Sequence, residues 1–534
     1  MPPAANASET SNVATTPQAN PQRLVEIALI MLVFFSLAGD PPPHVNESHY
    51  LCRLKHYWDP TWCAGDLFLE STDTQLVFIW SFGWVTRLAS LAATAWIGRL
   101  LTWAFVAWAW QRLSWRLVPM RFAAVLSGAL FVTLNAQAQL AGEWVVGGVE
   151  AKSFAYGFVM LAIGELVDRR WNPMFLLLGA ATAIHPLVGG WSALVCGGLW
   201  AFSLLSGQRI NSVSRLKAVP LAGLIGGGLL ALLGVVPALS LTWNDPANVV
   251  AEASRIYVFE RLPHHLALLA LPKEEYTARF VRHGLLLVVL MSLGVGLRHH
   301  AVFRIVQFAW GAALLALVGL MIELAWSHEP LFAARLLRYY WYRLSDFGVP
   351  AAAALAATEL TCVAMVQRKA FGTWGLLASV VYTGWYLGDV AGKRVFLPVP
   401  PADARLADFK AWTDACDWIA ENTSASSLFL TPRLNHSFKW RTGRPEVVNR
   451  KDIPQDARGI LEWNRRIKDI YYYEGQAGLV GPIDSLGQLG DEDERVRELA
   501  RKYGADYVLS DRSQLLSLPR AYRNEEYVVY RIEN

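Results

Sequence analysis

Long apolar runs alternate with short polar connections through the first three quarters of the chain. They predict helices at about 24–39, 93–111, 122–141, 153–168, 174–187, 188–206, 218–241, 283–297, 302–325, 346–366 and 372–390. Alternate connections carry basic residues: Arg112/Arg116/Arg121, Arg169/Arg170, Arg209/Arg215/Lys217, Arg298/Arg304 and Arg368/Lys369. Basic connections stay on the cytoplasmic side of a membrane, so these belong there, and eleven crossings leave the C-terminal region outside.

Two stretches test that count. Residues 75–91 are apolar but contain Arg87 and run straight into the next segment, which predicts an interfacial helix at the outer surface. The run 174–206 is too long for one helix, and His185-Pro186 and Gly189-Gly190 mark a tight outer turn within it. The outer connections at 40–74 and 242–282 are long. The one at 326–345 is short but carries Arg335, Arg338 and Arg343, against the charge rule, which asks for a local reason such as a bound anion.

Beyond Asp389 the pattern changes to that of a soluble domain, with helices at 404–422, 456–473 and 491–503 and strands at Ser427–Leu430, Tyr507–Ser510 and Glu526–Ile532. Helix alternating with strand predicts a small α/β domain on the outer face. The organisation is therefore a polar, disordered cytoplasmic tail over 1–22, an all-α polytopic membrane domain over 23–390 with a long first outer loop at 40–92, and an outer α/β domain over 391–534. The N-terminal tail lacks the basic n-region of a secretory signal.

Composition agrees: 54% of residues are hydrophobic and only 17% charged, too few charges for a soluble surface of this size. The 23 Trp and 18 Tyr suit membrane interfaces and sugar faces alike. A net charge of +4 without a basic stripe excludes a nucleic-acid partner. Cys196 and Cys362 lie in apolar runs as buried small hydrophobes, whereas Cys52 and Cys63 share the first outer loop and are expected to bridge there; two free thiols is the plainer alternative.

Candidate chemistry gathers on the outer side. The first loop holds Asp40, Glu47, Asp59, Asp66, Glu70 and Asp73 among His49, Tyr50, Tyr57, Trp58 and Trp62. A carboxylate at the mouth of a helix bundle serves as general base towards a hydroxyl while aromatic rings hold a sugar; the plainer reading is a solvated loop. A basic and imidazole set, Glu150-Ala-Lys152, His185, Arg261, His264-His265 and Arg335/Arg338/Arg343, falls on the same side, suited to a leaving phosphate. Each member alone reads as a snorkelling or capping residue, and their shared side is what carries the functional reading. No metal motif, phosphate-cradling glycine loop or dinucleotide fingerprint is present, so neither metal nor cofactor is expected, and any activated group comes from the lipid phase.

The segment Asn46-Glu47-Ser48-His49-Tyr50 is similar to the D-E-x-H-[FY] segment early in the first loop of GT-C glycosyltransferases, with Asn46 in place of the first acid. The order of a first helix, an acidic outer loop, an interfacial helix, further spans and an outer C-terminal domain resembles the same superfamily, which includes protein mannosyltransferases and lipid A aminoarabinose transferases. The stretches GGVEAKSFAYG, AIHPLVGGW and WYRLSDFGVP resemble uncharacterised bacterial members.

The resemblance implies an inverting transfer of sugar from a polyprenyl-phosphate carrier, without metal, to a glycan, lipid or protein acceptor at the outer face of the cytoplasmic membrane. It implies Glu47 as base, with Asp66 or Asp40 as substitutes. The phosphate falls to Lys152, His185, Arg261, His264, His265, Arg335, Arg338 and Arg343, and sugar or acceptor contact to His49, Tyr50, Trp58 and Glu150. A lipid-linked-sugar transporter, or a non-catalytic assembly or sensor protein, would share the polytopic layout. Convergence of the loop acids and the basic set on one cavity separates enzyme from these.

Overall fold

The computed structural model describes residues 20–206, 219–298, 300–474, 480–490 and 492–532. The basic connection at Arg209/Arg215/Lys217 and residues 1–19 of the N-terminal tail lie outside these. In chain order the helices are α1 (Asn20–Ala38), α2 (Glu47–Trp58), α3 (Leu76–Phe82), α4 (Leu91–Leu117), α5 (Ala123–Gln137), α6 (Ala151–Val167), α7 (Trp171–Ile184), α8 (Pro186–Ser206), α9 (Leu221–Trp243), α10 (Ala247–Arg255), α11 (Pro263–Leu266), α12 (Lys273–Leu297), α13 (Phe303–Ala325), α14 (Pro330–Leu337), α15 (Arg343–Val366), α16 (Ala370–Phe396), α17 (Phe409–Asn422), α18 (Phe438–Thr442), α19 (Ala457–Tyr471) and α20 (Asp493–Tyr503).

Every predicted span is a helix. Seven of them, α1, α4, α8, α9, α12, α13 and α15, are long and apolar enough by length and composition to cross a bilayer. The others are shorter or more polar: α5 has 15 residues, α6 17 and α7 14, while α16 is long but amphipathic. Helices this short are sustained by neighbours, and α5 and α6 are mostly buried. The α7–α9 crossing shows how such packing works without a hydrophobic drive. A Cβ at Gly179 would stand 2.2 Å from the carbonyl oxygen of Gly227, and one at Gly227 would stand 2.3 Å from that of Phe175. Only glycine lets these backbones touch, the small-residue logic of helix pairs in lipid.

Residues 75–91 form α3 followed by a 3₁₀ turn, Gly83–Arg87, before α4 begins at Leu91. The long connection at 242–282 is itself structured, by α10, a π-helical turn at Ile256–Arg261 and α11.

In the C-terminal domain, strands β1 (Phe429–Leu430), β4 (Tyr507–Asp511), β6 (Tyr527–Arg531) and β5 (Arg520–Arg523) make one sheet in that order, while β2 (Tyr472–Glu474) pairs with β3 (Val480–Pro482). The β1–β4 pair is parallel, with Phe429 opposite Tyr507; β4 and β6 are antiparallel, with Leu509 opposite Val529. Helices α17 and α19 supply Trp412, Ile419, Trp463 and Ile467 to the apolar cores beneath. The domain is welded to the connection that follows α2 by Lys439, whose buried ammonium lies 3.1 Å from Asp66, 3.0 Å from Glu446 and 2.7 Å from Asp452. Cys52 and Cys63 share an apolar cluster and are free thiols, in contrast to the expected bridge.

Candidate active site

The connection between α5 and α6, residues 138–150, is held at both ends by carboxylates. Asp346, in the first turn of α15, accepts hydrogen bonds from the backbone amides of Leu140 (2.6 Å), Ala141 (2.9 Å) and Glu143 (3.1 Å). Glu47 accepts from the amide of Val149 (3.0 Å) at the far end. Between them Gly142 adopts a left-handed backbone, φ +71°, where a Cβ would come within 3.3 Å of the His265 ring. The turn thus presents Glu143, Trp144 and Glu150 on one side.

That side faces a cavity of about 320 Å³. Asn46, His49 and Tyr50 of α2 and its cap form one wall, and Glu143, Trp144, Glu150 and Lys152 the next. His185 sits at the α7–α8 turn, and Tyr257 and Arg261 come from the π-helical turn, an irregularity frequent at functional sites. His264, His265, Tyr340 and Arg343 follow, and Lys451, Ile453 and Gln455 close the cavity from the C-terminal domain.

Charge is unevenly satisfied around this cavity. Lys152 lies 3.3 Å from Glu143 and 3.4 Å from Glu150, with its ammonium 4.1 Å from the Trp144 ring centre. Arg343 lies 3.2 Å from Glu143 and stacks on Tyr340 at 3.9 Å, with His185 3.4 Å away. Glu143 also accepts from the Tyr156 hydroxyl. Glu150 accepts from Asn46 (3.1 Å) and Trp144 (3.2 Å), so it meets one cation where Glu143 meets two. Arg261 and Lys451 have no carboxylate within ion-pair distance among the described residues. Lys451 donates to Asn46 at 2.7 Å, and burial, then the Arg261 guanidinium, push its ammonium down to about 8. Burial and the same guanidinium hold His264 near 4, while burial and His264 hold His265 well below the ordinary range, so both rings are neutral at pH 7. Four cations thus face two carboxylates, an excess suited to a phosphate.

Nine of the sequence-selected residues line this cavity: Lys152, His185, Arg261, His264, His265, Arg343, His49, Tyr50 and Glu150. Arg338 lines an adjoining chamber of about 200 Å³ that shares Tyr50, His185, Tyr340 and Arg343. Arg335 is exposed and lines neither. Trp58 donates to the carbonyl of Ile79 and lines a separate outer cleft.

The three loop acids are elsewhere too. Glu47 is completely buried in a fork with Arg99, at 2.7 and 2.6 Å, and also accepts from the amides of His44 and Val149. Burial would raise its carboxyl, but Arg99 outweighs that and holds it below the usual carboxylate range. With every acceptor position taken, Glu47 fixes the connection rather than receiving a proton. Asp66 belongs to the Lys439 cluster, and Asp40 pairs with Arg394 at 3.1 Å.

Sequence reasoning missed Glu143, Trp144, Tyr257, Tyr340 and Lys451. Glu143 carries a signal in retrospect, a carboxylate beside Trp in an otherwise apolar turn; Lys451 carries none, being one basic residue among many in a soluble domain.

Residues 410–470 match a family model described as a domain of unknown function, DUF6798. No curated protein matches the sequence. Among solved structures the chain is similar to ArnT from Cupriavidus metallidurans bound to undecaprenyl phosphate, with a TM-score of 0.53 and 15% identity over 96% of this chain and 98% of that one. It also aligns with the Archaeoglobus fulgidus oligosaccharyltransferase tethered to an acceptor peptide, at TM-score 0.45 and 12% identity over 92% of this chain and 69% of that one. A third is the arabinofuranosyltransferase AftD from Mycobacteria, at TM-score 0.44 and 13% identity over 97% and 42%. The end-to-end likeness to ArnT shows that this chain has the GT-C fold, a polytopic helical core carrying a C-terminal domain.

Proposed function

We propose that this protein is a glycosyltransferase that takes a sugar from a polyprenyl-phosphate carrier and delivers it to an acceptor hydroxyl at the outer membrane face. The observation that carries this reading is one cavity combining two carboxylates, four cations and four aromatic rings, Tyr50, Trp144, Tyr257 and Tyr340. It opens into a chamber walled by Leu187, Ala238 and Leu241 on spanning helices, a surface suited to a lipid chain. ArnT, whose fold this chain shares, was solved with undecaprenyl phosphate bound.

In this scheme Arg343, His185 and Arg338 hold the donor phosphate, and the aromatic rings hold its sugar. Glu150 takes the proton of the acceptor hydroxyl as its oxygen attacks the anomeric carbon. The bond from that carbon to the phosphate oxygen breaks, its electron pair leaves on the polyprenyl phosphate, and the single displacement inverts the carbon. Glu150 suits the role because its hydrogen-bond partner Asn46 occupies the position where the resembled segment has an acid. The leaving charge is met by the guanidinium groups of Arg343 and Arg338, so no metal is invoked.

Purified protein given a panel of labelled polyprenyl-phosphate sugars and membrane extract as acceptor should transfer label from at least one donor. A folded protein that neither transfers label nor hydrolyses any donor overturns the reading. The outer placement is tested by reporter fusions at Asp403 and Gln208, expected to give outside and cytoplasmic signals respectively.

A further inference from the structure

A third chamber, of about 440 Å³, lies beyond the candidate active site on the side of the C-terminal domain. Arg261, Arg405, Arg450 and Lys451 line it with His264 and His436, and no carboxylate does. None of the four cations has a carboxylate within ion-pair distance among the described residues. The Arg261 Nε and His436 Nδ1 atoms are shut off from solvent and have no hydrogen-bond partner among the described residues. Four like charges in one enclosure repel one another, and the enclosure is relieved when an anion enters. The groups register that strain: burial, then Arg450, push Arg261 down to about 10, and Lys451 stands at about 8.

The three chambers form a path. The lipid-walled chamber and the active-site cavity share His185, Tyr340 and Arg343; the active-site cavity and the basic chamber share Val45, Arg261, His264 and Lys451. The first and third share no residue. No spanning helix lines the basic chamber, whose apolar residues are prolines, alanines, Val45 and Leu434 from outer segments. The lipid end therefore enters from one side, and the basic chamber takes what comes from the other.

We propose that the basic chamber binds an oxyanion carried by the acceptor, so that the molecule glycosylated is an acidic one, bearing a phosphate or carboxylate beside the hydroxyl that receives the sugar. This rests on the glycosyl-transfer reading above. The test uses the full-length protein in detergent and measures binding of glucose 6-phosphate, glucuronate, glucose and undecaprenyl phosphate. Glucose 6-phosphate or glucuronate should bind and glucose should not, the stronger of the two acids telling phosphate from carboxylate. The double variant Arg405→Ala/Arg450→Ala should weaken that binding by roughly tenfold or more while undecaprenyl phosphate binds as before. Because the Arg405 side chain is exposed, Arg405→Glu alone gives the same test should the double variant not fold.

Equal binding of glucose, or unaltered binding of the acids by these variants, would overturn the proposal. So would displacement of glucose 6-phosphate by undecaprenyl phosphate, which would give the chamber to the donor. Failure of undecaprenyl phosphate to bind the wild type, with the acids still bound and lost in the variant, would instead overturn the donor reading and uphold the anion chamber.

Discussion

Two sets of charged side chains meet beneath the C-terminal domain, and they are built in opposite ways. Around Glu47 and Lys439 every charge is answered: Arg99 forks onto Glu47, and Asp66, Glu446 and Asp452 surround one ammonium. Burial would lower Lys439, but its three carboxylates, Asp452 foremost, hold it well above the usual range. Around Arg261 and Lys451 charge is left over, and burial pushes both downward. Buried charge that is answered fixes geometry; buried charge that is unanswered waits for a ligand. Residues of one type, a glutamate or a lysine, do different work according to the set they belong to.

The comparison breaks most visibly at Lys439. Lys439→Ala leaves three carboxylates facing each other in a buried site and should cost at least about 3–5 kcal/mol. We expect a much lowered melting temperature in detergent and rapid proteolysis of the C-terminal domain, and near-wild-type resistance would show that this weld is dispensable. Glu47 and Glu150 then sharpen the contrast. Glu47→Gln strands Arg99 and should cost about 3 kcal/mol or more of stability. Glu150→Gln leaves Lys152 paired with Glu143, so it should cost less stability than Glu47→Gln yet lose about 10²–10⁴-fold in transfer rate. The reverse pattern would return the base to the first loop.

A smaller effect is expected from pH. Lys451 is charged below about 8 and neutral above it, so its hold on an anion is complete below that pH and fades as pH rises through it. Since its folded value lies beneath the ordinary lysine value of 10.5, charging it opposes folding below pH 8, and that cost is relieved between about 8 and 10.5. The Michaelis constant for an acidic acceptor should therefore climb above pH 8 in the wild type and stay flat in Lys451→Arg; an identical rise in both would remove Lys451 from the site. The least effect belongs to Arg335→Ala, where an exposed side chain outside the cavity should change stability by no more than about 0.5 kcal/mol and transfer not at all.

The helices of the bundle were legible because lipid demands long apolar runs, and most of the Arg/His set between them does line one cavity. What a linear pattern hides is direction. Asn46 caps α2 and lines the cavity; Glu47, one residue on, is turned about 100° around the helix and points into the protein. The segment that carries the motif resemblance lines the cavity with Asn46, His49 and Tyr50, while its acid, Glu47, turns away to Arg99. The role of Arg99 was equally concealed, since an arginine within an apolar run reads as an interruption until its carboxylate is seen. Lys451 lies 405 positions from the Asn46 it touches, and no local signal links them.

The same long-range closure sets a schedule for biogenesis. A ribosome delivers the long apolar helices before residues 439–455, so a chain still being made has its cavity open along the side that Lys451, Ile453 and Gln455 later close. Until the C-terminal domain has folded that gap stands open, and under the proposed function a lipid-linked donor would meet an incomplete enclosure. Under the proposed function, competence waits for these residues, and a product truncated before residue 439 should be inserted and inert.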